Sequence, residues 1–336
     1  MALIIHAPNV HRGGGRTLLH AVLRGIPPGT PCTLIADQRL GGEIPEHVVV
    51  VRFPATLTGR LAAERLLRAK AGAVDIVLCM GNLPPLFDCG AKVAVFLQNR
   101  YLVEAVPLAG FPLKTRLRIA TERLWLKMCL RRQPRLVVQT RSMRDAVKRH
   151  LGIESLVLPF FGDGASPVPV RDETGVPRFV YPASAEPHKN HELLLSAWRL
   201  LADWGIRAEL HLTVEPGTAV AKAVLQAGES GLAVVNHGPL EPADLQTLYG
   251  RCSALVFASR LESFGLPLLE ARQAGLAIVA PELDYVRDVV EPDQTFDPGS
   301  ALSLARAVRR LLKQPEPLPR LLNPQEFLHR VSSDPW

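Results

Sequence analysis

Residues 254–275 constrain the fold more than any other stretch of this 336-residue chain. Ala254-Leu255-Val256-Phe257-Ala258 is a continuous apolar run, the pattern of a strand buried on both faces. A short loop follows. Pro267 then suits the first turn of a helix, where its missing N–H costs nothing. Leu268, Leu269, Ala271 and Ala274 form an apolar stripe, and Gly275 marks the stop. A doubly buried strand that hands its chain directly to a helix belongs to a parallel sheet covered by helices. Between strand and helix, Glu262-Ser263-Phe264-Gly265 places free backbone N–H groups at a helix start, which suits an anion. Glu262 stands at the rim of that loop and Glu270 one turn into the helix.

The same alternation runs through the whole chain. Strands are predicted at Leu3–Ala7, Cys32–Ala36, Val48–Arg52, Asp75–Met80, Val93–Leu97 and Leu136–Gln139. Helices are predicted at Arg16–Arg24, Thr58–Ala71, Leu113–Arg131 and Ser142–Leu151. A Gly- and Pro-rich connector over 161–176 separates them from a second set. There, strands are predicted at Phe179–Tyr181, Ala208–Thr213, Ala233–Asn236, Ala254–Ala258 and Ala277–Ala280. The matching helices are His191–Ala202, Thr218–Ala227, Ala243–Tyr249, Pro267–Ala274 and Ala301–Lys313, with a last candidate at Pro324–Val331. The fold class is therefore α/β: a first domain over 1–160 and a second over 177–319. Ligands of such sheets bind beyond the carboxyl ends of the strands, so both halves would face one cleft.

Charge divides at the same place. Residues 1–170 hold 23 Lys and Arg against 11 Asp and Glu, whereas residues 171–336 hold 16 against 21. A basic first half fits an anionic partner. No nucleic-acid motif or interleaved aromatic platform accompanies it, so nucleic acid is not expected. From Lys114 to Arg132 lie seven basic residues and one acid, Glu122. Leu113, Leu117, Ala120, Leu124 and Met128 recur at helical spacing and are expected to face the core, with Arg116, Arg123, Lys127 and Arg131 elsewhere. This segment, 113–132, is either a solvated domain helix or a contact for an anionic membrane. The first residues lack a basic leader, no apolar run is long enough to span a bilayer, and the five cysteines are scattered. A cytoplasmic protein with buried thiols is expected, peripheral at most on the inner face of the plasma membrane.

Three more loops carry candidate chemistry. His11-Arg12-Gly13-Gly14-Gly15-Arg16 follows the first strand and lets a ligand approach the backbone closely. Gly13 and Gly15 match part of the dinucleotide fingerprint, with Asp37 as a possible ribose acid, but Leu18 stands where the third glycine belongs. Pro187-His188-Lys189-Asn190-His191 opens a helix with a cation, which opposes the helix dipole unless an anion sits beside it. Asn99 and Arg100 end a strand of the first half and are acceptor-side candidates.

With Glu262, seven residues, then Glu270 around Phe264-Gly265-Leu266-Pro267, the chain resembles the retaining GT-B glycosyltransferases of family four. The resemblance is densest between residues 177 and 300. It implies two Rossmann-like domains and a C-terminal helix, here 320–336, packed back on the first. It implies transfer of a hexose or deoxyhexose from a nucleotide-diphosphate sugar to a glycan or polyprenyl-diphosphate-linked acceptor, as in bacterial surface polysaccharide assembly. No cofactor or metal is implied. Donor-binding positions would be Gly14, Gly15, Lys189, Glu262, Phe264, Gly265, Leu266 and Glu270, with Glu262 and Lys189 catalytic. Lys189 would meet the diphosphate, Glu262 the donor sugar and Glu270 the ribose. Leu283–Asp288 would help to shape the pocket. The family usually carries an Arg shortly before the Lys; here Ala183 and Ser184 stand there, with His188, Arg260 and Arg16 as possible substitutes. Two alternatives remain: a nucleotide-sugar epimerase of the same fold, and a catalytically silent module that binds membranes or partners.

Overall fold

A computed structural model describes residues 2–108, 110–162 and 175–316. The C-terminal helix expected over 320–336, and most of the connector, lie outside these residues. The first domain carries β1 (Leu3–Ala7), α1 (Gly13–Arg24), β2 (Cys32–Asp37), β3 (Val48–Phe53), α2 (Leu57–Lys70), β4 (Ile76–Cys79), β5 (Lys92–Phe96), α3 (Leu113–Cys129), β6 (Arg135–Val138), α4 (Arg141–Leu151) and β7 (Ser155–Val157). The second carries β8 (Arg178–Tyr181), α5 (His191–Asp203), β9 (Glu209–Leu212), α6 (Ala219–Glu229), β10 (Val234–Asn236), α7 (Pro242–Gly250) and β11 (Ala254–Val256). It ends with α8 (Leu266–Gln273), β12 (Ala277–Pro281), α9 (Asp284–Arg287), β13 (Gln294–Phe296) and α10 (Ala301–Leu311).

Each domain is one sheet. The first runs β3-β2-β1-β4-β5-β6-β7 and the second β10-β9-β8-β11-β12-β13. Neighbouring strands pair in parallel throughout both. The order reverses between β1 and β4 in one sheet and between β8 and β11 in the other. Loops leaving β1, β8 and β11 therefore flank the two switch points, where ligands of such sheets bind. These are the glycine loop, the Lys189 loop and the Glu262 loop.

The strands are apolar because both faces are covered. β2 is buried along its whole length, as is β11. Around the second sheet one continuous core includes Phe179, Trp198, Leu210, Leu255 and Ile278. The first sheet has a cluster on each face. One of them, built on Val10, Leu18, Phe96 and Val137, also takes in Phe264 and Leu266 of the second domain. The domains thus share an apolar contact at the head of α8.

The structure corrects several sequence expectations. Strands β7 and β13 are additions; both are three-residue sheet edges whose patterns are too short to read. Helix α1 begins at Gly13 rather than Arg16, so the glycines form its first turn. The largest correction concerns α3. Leu113, Leu117, Leu124 and Met128 do not face the core; they are 78%, 65%, 59% and 54% exposed. Ala120 is exposed with them. Ile119, Leu126 and Cys129 are buried instead. Two large polar side chains fix this orientation. Arg123 donates to Tyr101 O at 2.7 Å, and Trp125 Nε1 donates to Pro84 O at 3.0 Å. Arg60 stacks over the Trp125 ring at 4.8 Å. The helix docks by hydrogen bonds and cation–π contact as much as by apolar burial.

Candidate active site

The Glu262 loop is shaped by Gly265. This residue caps α8 with φ of +83°, a left-handed conformation that costs a side-chain-bearing residue about 1–2 kcal/mol. No side chain caps α8 and its first turn holds no acid; Pro267 has no N–H and Leu268 N bonds Gly265 O at 2.9 Å, so the Leu266 N–H at its head is the one left for a ligand. Pro267 lies in its first turn. Helix α1 likewise has no side-chain cap and no acid in its first turn. The two helix starts meet: a Cβ built on Gly14 would lie 2.9 Å from Leu266 Cδ1. Gly15 sits behind, near Val10 and Gln98. The contact brings together two positive helix ends, one from each domain.

Lys189 and Glu262 are paired beside them, Nζ to Oε1 at 2.5 Å, with both side chains largely shielded from solvent. Lys189 ends a short 3-10 turn, Pro187–Lys189, and its carbonyl accepts from the buried Tyr181 hydroxyl at 3.0 Å. Asn190 follows with φ of +61°, and its Nδ2 donates to Pro298 O at 3.1 Å. The same loop is tied to the Glu262 segment, since Arg260 N donates to His188 O at 2.8 Å. Tyr285 donates to Ser259 O at 2.5 Å from α9, inside the segment 283–288 singled out by sequence.

Glu270 lies one turn into α8. Tyr249 OH donates to its Oε2 at 2.9 Å, leaving Oε1 for a hydroxyl donor. Burial raises the Glu270 carboxyl above its ordinary value, with the Tyr249 bond opposing. His188 and His191 are both pushed down to about 4, by burial first and then by the Lys189 charge. Both are therefore neutral at physiological pH, and neither is a substitute cation.

Of the remaining candidates, Asp37 is committed to Arg39, which bonds both carboxylate oxygens at 2.9 and 2.7 Å. That engagement opposes a free ribose acid. Asn99 accepts from Tyr101 N at 3.1 Å and so starts a 3-10 turn, Arg100–Leu102. Arg100 crosses the cleft, its Nη1 donating to the Glu262 carbonyl at 3.3 Å. Arg16 also crosses, to Glu241 at 3.4 Å, in an exposed pair. Phe264 and Leu266 send their side chains into the shared apolar cluster, so only their backbone faces the site. Sequence reasoning missed Tyr249, Tyr181 and Thr140. The first two are buried aromatics whose hydroxyls act locally, and Thr140 donates to Ser263 O at 3.0 Å across the domains. None leaves a spacing signal. Among the described residues, no group of three or more His, Cys, Asp or Glu could hold a metal ion.

Residues 169–324 match the family model described as glycosyl transferases group 1. The serotype-specific mannosyltransferase WbdA of Escherichia coli is 32% identical over 136 residues, which is 39% of this chain but 17% of that protein. The match therefore spans about a sixth of that relative's length. The MMP alpha-(1->4)-mannosyltransferase of Mycolicibacterium hassiacum is 26% identical over 297 residues, covering 80% of this chain and 69% of the relative. Sucrose-phosphate synthase from Thermosynechococcus elongatus superposes with a TM-score of 0.69 at 16% identity, over 93% of this chain and 90% of that one. This last likeness concerns the fold alone.

Proposed function

We propose, from a second domain matched by the glycosyl transferases group 1 family within a GT-B fold, that this chain transfers a hexose from a nucleotide-diphosphate sugar to a glycan or lipid-linked oligosaccharide. The observation that carries the reading is the Lys189–Glu262 pair beside the uncapped α8, with Glu270 one turn on. A diphosphate at the head of α8 would meet the Leu266 N–H and Lys189, and Glu270 Oε1 would accept from a ribose hydroxyl. Glu262 would take the donor sugar. The mannosyltransferase names of the two relatives make mannose the first sugar to try.

The chemistry proposed retains configuration. The acceptor oxygen bonds to the anomeric carbon on the face from which the diphosphate departs, and its proton passes to the departing phosphate oxygen. Preorganised donors for that leaving charge are the main catalytic contribution. Lys189 and the helix ends supply them, so the reading expects activity without a metal ion. Calorimetric titration of UDP, GDP and dTDP in the presence of chelator tests this. One diphosphate should bind clearly better than the others, and Glu270→Ala should weaken it. Folded protein that binds none of them would overturn the donor site and favour a silent module. Conversion of a nucleotide sugar without acceptor would favour an epimerase.

The acceptor side of the proposal includes a membrane surface. The exposed stripe Leu113, Leu117, Leu124 and Met128 lies on the far side of α3 from its buried residues. Exposed Lys114 and Arg118 stand along one edge of it and Arg116 and Lys127 along the other, with exposed Arg131 in the turn that follows. Apolar side chains flanked by basic ones match the anionic face of a bilayer. No helix among the described residues is long and apolar enough to cross a membrane, so the contact proposed is peripheral. Co-sedimentation with anionic vesicles, lost in zwitterionic vesicles and in Leu117→Gln/Leu124→Gln, is the expected result. Equal recovery with both vesicle types would remove the charge-guided contact.

A further inference from the structure

A nucleoside diphosphate brings the negative charge of two linked phosphates to its site. The second domain offers little to meet it. Lys189 shares its charge with Glu262 at 2.5 Å. Arg260 is exposed and turned aside, its Nε on Pro298 O at 3.4 Å. His188 is held neutral by burial and by Lys189. From the first domain, Arg16 reaches only the exposed Glu241.

Arg100 is also paired, with Glu104, but it reaches the site from the first domain and bonds the Glu262 main chain. Its Nη1 donates to the main-chain oxygen of Glu262, while Lys189 holds the side chain of the same residue. One cation from each domain thus grips Glu262. Arg100 Nε bonds Glu104 Oε1 at 2.7 Å, and the side chain is only 17% exposed. A guanidinium carries five N–H donors in a planar fork suited to phosphate oxygens. Among the described residues, Nη2 has no hydrogen-bond partner. The turn that carries Arg100 is firmly seated. Tyr101 meets the His188 ring edge-on at 5.4 Å, and Arg123 bonds the Tyr101 and Glu104 carbonyls at 2.7 and 2.6 Å.

We propose that Arg100 is the second cation of the donor site, delivered across the cleft by the first domain to the sugar-bearing phosphate of the diphosphate. This rests on the donor-site reading above and deepens it. Arg100 adjoins Glu262, the residue placed at the donor sugar, so the phosphate nearest to it is the one that carries the sugar. Glu104 is the counter-ion that a phosphate would partly displace. The positive charge facing the leaving group is then complete only where the two domains meet.

Calorimetry with UDP, GDP and dTDP, and with the matching nucleoside monophosphates, tests the assignment on wild type, Arg100→Gln, Arg100→Lys and Glu104→Gln. Arg100→Gln should weaken the preferred diphosphate about ten- to a hundredfold, the range for hydrogen bonds between charged groups. Its effect on the monophosphate should stay below about threefold. Arg100→Lys should recover part of the loss, and Glu104→Gln should tighten diphosphate binding by freeing the fork. Equal losses for mono- and diphosphate would mark Arg100 as structural and overturn the proposal. So would an unchanged Arg100→Gln, or weaker binding in Glu104→Gln. Wild-type protein that binds no diphosphate would remove the donor site and this inference together. Wild-type binding that Arg100→Gln leaves untouched would remove this inference alone.

Discussion

The two domains are the same kind of object, yet they hold their helices differently. In the second, apolar contacts decide orientation: α5 and α8 bury the leucines and alanines of their stripes in one continuous core. In the first, α1 and α4 do the same, but polar groups decide for α2 and α3. Arg123 and Trp125 hold α3 by main-chain carbonyls. Glu64, wholly buried in α2, takes Arg60 at 2.8 Å and Leu86 N at 2.8 Å. His6 in β1 is buried 3.5 Å from Glu64 and is kept neutral by that burial and by Arg60. Apolar periodicity reports which face of a helix is inside only where burial of apolar surface outweighs every other force on the helix. Where buried hydrogen bonds to charged groups, each about 1.5–3 kcal/mol, set the docking, the apolar stripe is free to point outward.

The sharpest way to break that contrast is to truncate neighbouring residues of α3. Leu126→Ala should cost about 2–5 kcal/mol in urea unfolding, whereas Leu124→Ala should stay within about 0.5 kcal/mol. The reverse ranking would restore the inward-facing stripe. The next effect belongs to the second domain. Lys189→Met should lower turnover about 10²–10³-fold, as loss of a preorganised charge donor does, with little change in melting temperature. A matching loss of stability would make the pair structural. Gly265→Ala is expected to cost about 1–2 kcal/mol through its positive φ. It should weaken nucleoside diphosphate binding more than it lowers stability, since the strain falls on the anion loop; unchanged affinity would argue that the loop is not used.

The smallest effect is in pH. Glu270 binds its proton more tightly folded than unfolded, because burial raises its value. Its stabilising contribution is therefore full below the ordinary glutamate value and is lost as pH rises through the raised one. Nucleotide binding should run oppositely, tightening over that window as the carboxylate ionises to accept a ribose hydroxyl. Glu270→Gln should flatten both slopes, and a binding slope that survives in it would assign the titration elsewhere.

Most strands and helices were legible because both sheets are buried on two faces, and β1, β2 and β8 read directly as apolar runs. The Lys189 and Glu262 loops were legible for a local reason: each lies in one stretch of chain between a strand and a helix. Contacts between stretches were not. Nothing in spacing links Arg100 to Glu262, which lie 162 positions apart, or Thr140 to Ser263, 123 apart. The inward turn of Phe264 was hidden likewise, since a phenylalanine beside a ligand loop reads the same whether it faces ligand or neighbour.

The meeting of Gly14 with Leu266 has a consequence for how the halves of the molecule stay together. Each helix start is a partial positive charge of about half a unit, and neither carries a capping side chain. Brought face to face they repel mildly. A diphosphate lodged between them would cap both helices at once, with one anion finishing two ends that the sequence leaves open. Ligand would then act as mortar as well as substrate, and saturating nucleoside diphosphate should raise the melting temperature in step with occupancy.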